Sequence, residues 1–244
     1  MKVHVLGCGD AFGSGGRRQS GYLVDTGDRL FLLDCGPSSL LAMKAAGFES
    51  TRLDAVFLSH LHGDHFGGLP FFFIEYLYQN KRIRPLHVAG PVGTEDKVRR
   101  LFNLMYGSGI KPKDLPPVRF HLLQPDKTVH VDHIPVFSFR VPHQVEEVSL
   151  ALKIGYSEKH ILFSGDSAWT DEFLIHGRDV DLFICECTYW ERQTANHMNY
   201  LQLREKLTQL QCSRILLTHM SSEVLDRTAE IPYPTARDGM IVEV

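Results

Sequence analysis

The 244-residue sequence contains no run that approaches 18 consecutive apolar residues, which is the length that a membrane-spanning helix requires. Its first residues, MKVHVLG, have too little apolar content for the hydrophobic region of a secretory signal peptide. These two absences argue against membrane-spanning and secreted proteins. We therefore expect a cytoplasmic protein that makes no membrane contact.

Cysteine is scarce and odd in number: the five thiols are Cys8, Cys35, Cys185, Cys187 and Cys212. Cys185 and Cys187 would point to the same face of a strand, but no second pair completes a four-sulfur zinc site. The thiols lie in apolar, strand-like segments, so we expect them to be reduced and buried.

Excess positive charge is also absent, since the formal net charge is −3 with 13 histidines counted as neutral. The chain as a whole is not an obvious polyanion binder. One region departs from this balance, because residues 81–119 contain nine Lys or Arg side chains. Such a region either attracts a phosphate-rich ligand or forms the solvated faces of helices.

The hydrophobic share of 43% and the charged share of 23% are those of an ordinary globular protein. No low-complexity segment or linker divides the chain, so we expect one domain over residues 1–244. The proline-rich residues 111–117 are interpreted as a link between two similar halves. The second half is predicted to begin with a strand at residues 118–123.

The most informative segment is residues 59–65, SHLHGDH, which offers four metal-binding side chains within six residues: His60, His62, Asp64 and His65. The two histidines alternate as at the frayed end of a strand, and the last two side chains lie beyond the turn, facing a second point. This geometry suggests two metal ions. A polar loop with surface histidines is the simpler alternative, but this order and spacing would seldom arise by chance.

Further polar residues follow other predicted strands. His62, His143, Asp166, Glu186 and His219 each lie just after a short apolar segment. Strand ends at one edge of a packed sheet, with their loops, are where chemistry is commonly placed. One shared site explains these positions more economically than five separate causes.

With these residues in place, the chain resembles the metallo-β-lactamase superfamily. Its successive metal-binding motifs are similar to HxHxDH at residues 60–65, Pro142-His143, Ser164-Gly165-Asp166 and Leu217-Thr218-His219. The resemblance extends from Asp34 to His219 and implies an α/β, four-layer αββα sandwich. It also implies that His60, His62 and His143 bind one metal, that Asp64, His65 and His219 bind the other, and that Asp166 bridges them.

Imidazole and carboxylate ligands suit two Zn²⁺ ions, although Mn²⁺ or Fe would be held by the same groups. Two such ions about 3.5–4 Å apart can hold a hydroxide between them at neutral pH, which would be the nucleophile. Asp64 is a candidate for orienting the attacking water.

Residues 185–189, CECTY, and the later His197 resemble the phosphodiesterase branch of the superfamily, which includes the tRNA 3′-processing endonucleases. In that branch a Glu-Ala-Thr segment and a later histidine supply and orient a general acid. The resemblance implies that His197 donates the proton and that Glu186 orients it. Cys187 replaces the usual alanine, a small change that we do not expect to disable the site. A cap for the following helix is the structural alternative for His197.

The substrate is predicted from what is missing beside this site. The bacterial short form of the tRNA endonucleases carries a basic arm between the third-motif histidine and the bridging aspartate, whereas His143 and Asp166 are only 23 residues apart. Large structured RNA is therefore an improbable substrate. A cyclic nucleotide, a cyclic ribose phosphate or a short oligonucleotide fits better.

Three functions stay open at this stage. The first is cleavage of a small phosphodiester, and tRNA 3′ processing is its variant. The second is hydrolysis of lactones, thioesters or other esters, and the third is a binding or regulatory role with structural metals.

Contacts to the substrate are predicted at two places. The glycine-rich residues 7–18 would overhang the site and offer Arg17 or Arg18 to a phosphate. Tyr189 and Trp190 either stack on a base or pack in the interior. Finally, the dense aromatic residues 70–78 either join the core or form a wall beside the site or a homodimer contact.

Overall fold

A computed structural model of the chain describes residues 1–107 and 116–244. Two β-sheets stack face to face with helices on their outer sides. The first sheet contains β1 (Lys2–Gly7), β2 (Gly21–Asp25), β3 (Leu30–Leu33), β4 (Ala55–Phe57), β5 (Leu86–Gly90), β6 (Val118–Leu122) and β13 (Ile241–Glu243). Its strand order is β13-β1-β2-β3-β4-β5-β6, and β3 to β6 are parallel.

The second sheet contains β7 (Lys127–Val131), β8 (Ile134–Arg140), β9 (Leu150–Tyr156), β10 (Lys159–Phe163), β11 (Leu182–Glu186) and β12 (Ile215–Thr218). Its order is β12-β11-β10-β9-β8-β7. Within this sheet, β10, β11 and β12 run parallel to one another. Their carboxyl ends therefore open at one edge, and the loops that follow them lie together.

The helices in the described residues are α1 (Ser39–Ala45), α2 (Gly63–Phe66), α3 (Leu69–Tyr78), α4 (Thr94–Tyr106), α5 (Glu172–His176), α6 (Tyr200–Leu207) and α7 (Ser222–Leu225). Short 3₁₀ turns occupy Ser14–Gly16, Ser50–Arg52 and Thr228–Glu230. No helix in residues 1–107 or 116–244 combines the length and the apolar character needed to cross a bilayer.

Three apolar clusters build the four layers. The central cluster lies between the sheets and takes alternate residues of their strands, such as Val3 and Val5 on β1 and Leu150 and Leu152 on β9. A second cluster joins the outer face of the first sheet to α1, α3 and α4, and a third joins the second sheet to α5, α6 and α7. This arrangement confirms the predicted αββα sandwich.

Most of the predicted elements are confirmed, including the helix over residues 94–106 and the helix start after the HxHxDH motif. The assignment of the second half was wrong at its beginning. Val118–Leu122 pairs in parallel with β5 and completes the edge of the first sheet, so the passage between sheets follows this strand. The predicted link covers residues 111–117, and residues 111–115 of it lie outside the described residues.

The aromatic residues 70–78 belong to α3 and contribute mainly to the core, where Phe72, Phe73 and Tyr76 are buried. Tyr78 at the end of the helix is exposed. All five cysteines are free, as predicted; four are buried as predicted, whereas Cys212 is only partly buried.

Candidate metal centre

The metal-binding side chains converge at the edge where the parallel strands end. His60 and His62 follow β4, and His65 lies in the short helix α2 that begins directly after His62. His143 follows β8, Asp166 follows β10 and His219 follows β12. Residues that are far apart in sequence are therefore brought to one point by the common direction of the strands.

The side chains form two adjoining groups that share Asp166. One group contains His60, His62, His143 and Asp166, and within it one ligand atom from each residue lies within 4.8 Å of the others. In the other group, one ligand atom from each of Asp64, His65, Asp166 and His219 also lies within 4.8 Å of the others. These are the two sets predicted from the sequence.

The carboxylate of Asp166 faces both groups with different oxygens. Oδ2 lies 3.9 Å from Nε2 of His60 and 3.9 Å from Nε2 of His143. Oδ1 lies 3.3 Å from Nε2 of both His65 and His219. Asp64 lies only on the second side, with Oδ2 3.1 Å from His65 Nε2 and 3.6 Å from His219 Nε2. This geometry suits a bridging carboxylate.

Each of the five imidazoles is held by the protein through one nitrogen, so that the other faces the cluster. Nδ1 of His65 donates to Asp34 Oδ2 at 2.6 Å, and Nδ1 of His143 donates to the backbone oxygen of Asn196 at 2.8 Å. The three remaining partners are Ser59 Oγ for His60 Nδ1, Thr188 Oγ1 for His219 Nδ1 and the Gln144 amide for His62 Nε2. Partners of this kind fix the tautomer and the ring orientation of metal-binding histidines.

The inward nitrogens indicate that these residues fit a bound cation. In the described part of the chain, the buried Nε2 atoms of His60, His65 and His219 have no hydrogen-bond partner. Nε2 of His143 lies only 3.0 Å from Nδ1 of His62. Because the amide N–H of Gln144 donates to Nε2 of His62, the proton of the neutral His62 ring lies on Nδ1, which donates to Nε2 of His143. A bound cation satisfies the three orphaned atoms.

The electrostatics of the two groups differ. Burial, with some help from neighbouring imidazoles, lowers the pKa of His60 well below its ordinary value, which keeps this ring neutral. Around the second group, burial opposes protonation, but Asp166 and Asp64 outweigh it and raise the pKa of His219 to about 9. This concentration of negative charge is a second indication that the site is built for cations.

The predicted acid pair is assembled beside this cluster. Nδ1 of His197 lies 3.0 Å from Oε1 of Glu186 at the end of β11. The ring of His197 stacks on that of His219 with centroids 5.9 Å apart, and it meets the ring of His143 edge to face at 4.9 Å. The Nδ1–H group therefore donates to the carboxylate, and Nε2 is the nitrogen left for a ligand.

The Glu186 carboxylate is completely buried and held by three further donors. Oε1 accepts from the backbone N–H of Ser167 at 2.5 Å, while Oε2 accepts from Thr188 Oγ1 at 2.6 Å and from the backbone N–H of Met198 at 3.2 Å. Burial opposes the charging of His197, but the hydrogen bond and charge of Glu186 overcome it and raise the pKa of His197.

The turn that carries Asp166 requires glycine at position 165. Gly165 has φ +58°, in the left-handed region that side chains rarely adopt. A Cβ added to it would lie 2.6 Å from the Cβ of Ser59, at the beginning of the HxHxDH motif. The absence of a side chain lets the two ligand-bearing loops approach each other.

The glycine-rich loop lies beside the site, but its arginines are engaged within the fold. Nη1 of Arg17 donates to the backbone oxygen of Ala236 at 2.6 Å, and Nη1 of Arg18 donates to that of Leu6 at 3.1 Å. The backbone N–H of Arg18 also donates to Asp238. These contacts give both residues a structural role, and a substrate contact stays a prediction.

The two aromatic candidates after Glu186 have different surroundings. The ring of Tyr189 is half-buried and lies 5.9 Å from the ring of His197, edge to face. Trp190 is only 8% exposed; it packs against Tyr200 and lies beneath Arg227. The packing interpretation therefore holds for Trp190, whose ring is not available for stacking on a base.

The basic stretch at residues 81–119 contains several side chains that pair with nearby acids. Arg84 binds Asp54, and Lys97 binds Glu147. Arg99 and Arg100 pair with the acidic residues one turn earlier on α4. These pairs are typical of solvated helix faces.

Sequence reasoning missed the residues that hold the metal ligands. Asp34 is the most central, because it accepts from both His65 and the hydroxyl of Ser59, and Ser59 in turn contacts His60. Its position immediately after β3 was the available signal, since carboxylates follow the other strands that supply ligands. Gln144 and Asn196 carry no such signal.

The fold and the His/Asp cluster together define a metal-dependent hydrolase of the metallo-β-lactamase superfamily. Residues 1–232 match the family model described as Anti-Pycsar protein Apyc1, and the chain belongs to this family.

The chain is also similar to individual proteins. It is 28% identical over 226 residues to the probable metallo-hydrolase YhfI of Bacillus subtilis, a match that covers 90% of this chain and 87% of that protein. The crystal structure of YhfI superposes with a TM-score of 0.81 at 25% identity, covering 100% of this chain and 99% of that one. Ribonuclease Z of Porphyromonas gingivalis is 35% identical over 145 residues, or 58% of this chain and 47% of that enzyme. The chain thus matches about half the length of that relative.

Proposed function

We propose that this protein is a dinuclear metal-dependent phosphodiesterase that cleaves a small phosphodiester, such as a cyclic nucleotide, a cyclic ribose phosphate or a short oligonucleotide. The observation that carries the proposal is the His197–Glu186 pair beside the two ligand groups. Hydrolysis of a diester releases an alkoxide, which needs a proton. A histidine raised in pKa by a fixed carboxylate is suited to supply it.

The chain's own residues have distinct roles in this proposal. Two divalent cations, Zn²⁺ by preference, would lower the pKa of a water and offset the charge on the phosphoryl oxygens. Asp64 lies at the second group, where its carboxylate can orient that water. Nε2 of His197 carries the proton for the leaving oxygen, while Glu186 holds the ring through Nδ1. Asp166 keeps the two ligand groups together.

The surroundings of the site favour a small substrate. A cleft of about 420 Å³ lies beside His62 and His143 and is bordered by Gln144, Val145 and Asn196. This volume is in the range of small-molecule sites, which is roughly 300–1,000 Å³. Glu146 and Glu147 also line the cleft, and their charge opposes the approach of a long polyanion.

The ribonuclease Z relatives make tRNA 3′ processing the second candidate function. The segment from His143 to Asp166 consists mainly of the hairpin β9–β10, whose strands are joined by two residues. A substrate-binding arm of the kind implied by the sequence resemblance has no place in it. We therefore favour a small diester over a structured RNA.

A homodimer is proposed, with exposed apolar side chains as its candidate contacts. Tyr78 at the end of α3, Ile83 in the segment that follows it and Leu104 on α4 expose most of their side chains. Large exposed apolar side chains of this kind are available to a subunit contact. Light scattering of the wild type and of a Leu104→Glu variant tests this proposal, which predicts a dimer for the first and a shift towards monomer for the second.

The test of the function compares two ester classes. Purified protein with measured metal content is assayed on 3′,5′-cyclic adenosine monophosphate, whose leaving group is a sugar alkoxide, and on p-nitrophenyl acetate. The variant His197→Ala is expected to lose about 100-fold in kcat/KM on the diester, in the range for removal of a general acid. Hydrolysis of the acetate should change much less, because p-nitrophenolate leaves without a proton.

His176→Ala is the matched control, because His176 also pairs with a glutamate, Glu172, but on α5 outside the metal centre. The control should behave as wild type. Faster acetate than diester cleavage, with no effect of His197→Ala, would indicate an ester, lactone or thioester hydrolase instead. Full loss of activity on chelation with an unchanged fold would argue against a binding or regulatory protein with structural metals, and hydrolysis of neither ester by the metal-loaded protein would indicate one.

A further inference from the structure

A second cavity, of about 420 Å³, lies between the glycine-rich loop and the segment that follows β11. Phe12 and Asp10 line it from the loop, and Thr188, Tyr189 and Arg192 line it from the segment after β11. None of the roles assigned above to the metal ligands or the acid pair uses this space.

Two residues that line the cavity also contact the acid pair or a neighbouring imidazole. Thr188 Oγ1 donates to Glu186 Oε2 at 2.6 Å and lies 3.1 Å from Nδ1 of His219. The ring of Tyr189 meets the ring of His197 edge to face at 5.9 Å. The cavity therefore lies on the far side of Thr188 and Tyr189 from the acid pair, next to the metal centre.

Phe12 is presented to the cavity by a loop with a fixed backbone. Its side chain is 89% exposed. The buried carboxylate of Asp10 accepts from the backbone N–H groups of Phe12 at 3.2 Å and Ser14 at 2.9 Å, and from the Ser14 hydroxyl at 2.6 Å. The exposure of this large aromatic ring is therefore set by a hydrogen-bonded turn and is not a result of a frayed chain end.

The charges of the lining oppose a second phosphate as the occupant. Asp10 and Glu223 both line the cavity as carboxylates. The positive group is Arg192, whose guanidinium already lies over the ring of Tyr189 at 5.1 Å. Two aromatic side chains and a net negative lining favour an uncharged ring with polar edges over an anion.

We infer that this cavity binds the aromatic ring of a nucleotide substrate, with Phe12 and Tyr189 as stacking residues that determine specificity. The inference deepens the proposed phosphodiesterase function and rests on it. It assigns the glycine-rich loop a direct role in recognition through Phe12, while Arg17 and Arg18 anchor the same loop to the fold.

The test measures binding without turnover. Metal-loaded protein is titrated by calorimetry with adenosine 5′-monophosphate and with ribose 5-phosphate, which share the phosphate and the sugar but differ in the ring. Stacking on an aromatic side chain contributes roughly 1–3 kcal/mol per base. We expect the wild type to prefer the nucleotide about tenfold, since about 1.4 kcal/mol corresponds to a factor of ten.

Substitutions at Phe12 distinguish stacking on an aromatic ring from contact with any large side chain. Phe12→Ala and Phe12→Leu should both reduce the preference to about twofold, whereas Phe12→Trp should keep it, because only the aromatic face is required. Tyr189→Ala should reduce it as well. Ile241→Ala, at an exposed apolar residue of the edge strand β13 that does not line the cavity, is the control and should keep the tenfold preference.

Equal binding of the two ligands by the wild type would overturn the inference, and so would an unchanged preference in Phe12→Ala. The exposure of Phe12 means that its variants should fold, which a thermal scan verifies. If no diester is cleaved but the ring preference depends on Phe12, the proposed function fails and the ring site stands. If diesters are cleaved without that preference, only the ring site fails.

Discussion

The carboxylate of Glu186 accepts a hydrogen bond from His197 at 3.0 Å while being completely buried. A buried carboxylate is stable only when its oxygens are hydrogen-bonded, and here both oxygens are occupied. The pair therefore behaves as a fixed unit, in which the orientation of the His197 ring depends on the charge of its partner.

Glu186→Gln should lower kcat/KM on a small phosphodiester by about 10–100-fold. The amide keeps the size of the side chain but removes the charge that orients and favours the protonated ring. Metal content should stay near that of the wild type, since Glu186 belongs to neither group that contains Asp166 and lies instead with His197 and His219. Kinetics and elemental analysis on the same preparation check this, and a parallel loss of metal would assign Glu186 to the metal centre itself.

Asp166→Asn should reduce the bound metal from two ions per chain towards one or none. The wild-type carboxylate faces both ligand groups with separate oxygens, and an amide offers only one comparable acceptor. Elemental analysis after dialysis against a weak chelator measures the loss. Asp226→Asn, on the exposed end of α7, is the control and should retain the wild-type content. Two ions retained in Asp166→Asn would contradict a bridging role.

Asp34→Asn should weaken metal binding by about 10–100-fold, the usual effect of removing a partner of a metal-binding histidine. Asp34 contacts His65 directly and His60 through the hydroxyl of Ser59, so one substitution affects both ligand groups. Competition with a chromophoric chelator gives the affinity. The prediction fails if the variant binds metal as tightly as the wild type.

The contrast between Asp166 and Asp34 shows which parts of the site the sequence could reveal. The metal ligands occur in short motifs at strand ends, where residue type and spacing are both distinctive. The partners of these ligands lie at sequence separations of 31 residues for Asp34 and His65, 53 for His143 and Asn196, and 82 for His62 and Gln144. Only tertiary packing brings such pairs together.

The fold, like the site, could be predicted from the sequence only in part. Periodicity located most strands, because one face of each is buried in the core. It could not assign Val118–Leu122 to the first sheet, since the sequence pattern of a strand does not identify the strand with which it pairs. It also missed β13, whose three residues are too short to produce a pattern.

The last prediction concerns a pair of histidines on β5 and β6, at a distance along the sheet from the metal centre. Nδ1 of His87 lies 2.9 Å from Nε2 of His121, and the rings are stacked. Burial lowers the pKa of both rings below the ordinary value; Arg119 acts in the same direction on both, the His121 ring does so on His87, and Asp132 opposes them. The folded state therefore takes up protons less readily than the unfolded chain.

The difference in proton uptake between the folded and unfolded chain sets the direction in which pH changes stability. Above the unfolded-state pKa of about 6.5, both imidazoles are neutral in the folded and in the unfolded chain, and the free energy of unfolding is at its full value. As the pH falls through 6.5 towards the folded-state pKa, the unfolded chain gains protons first and stability decreases. His121→Gln removes one titrating ring but keeps a hydrogen-bonding side chain. Urea unfolding of metal-saturated protein at pH 7.5 and 5.5 should therefore show a smaller loss for this variant than for the wild type, and equal losses would exclude the pair as a source of the pH dependence.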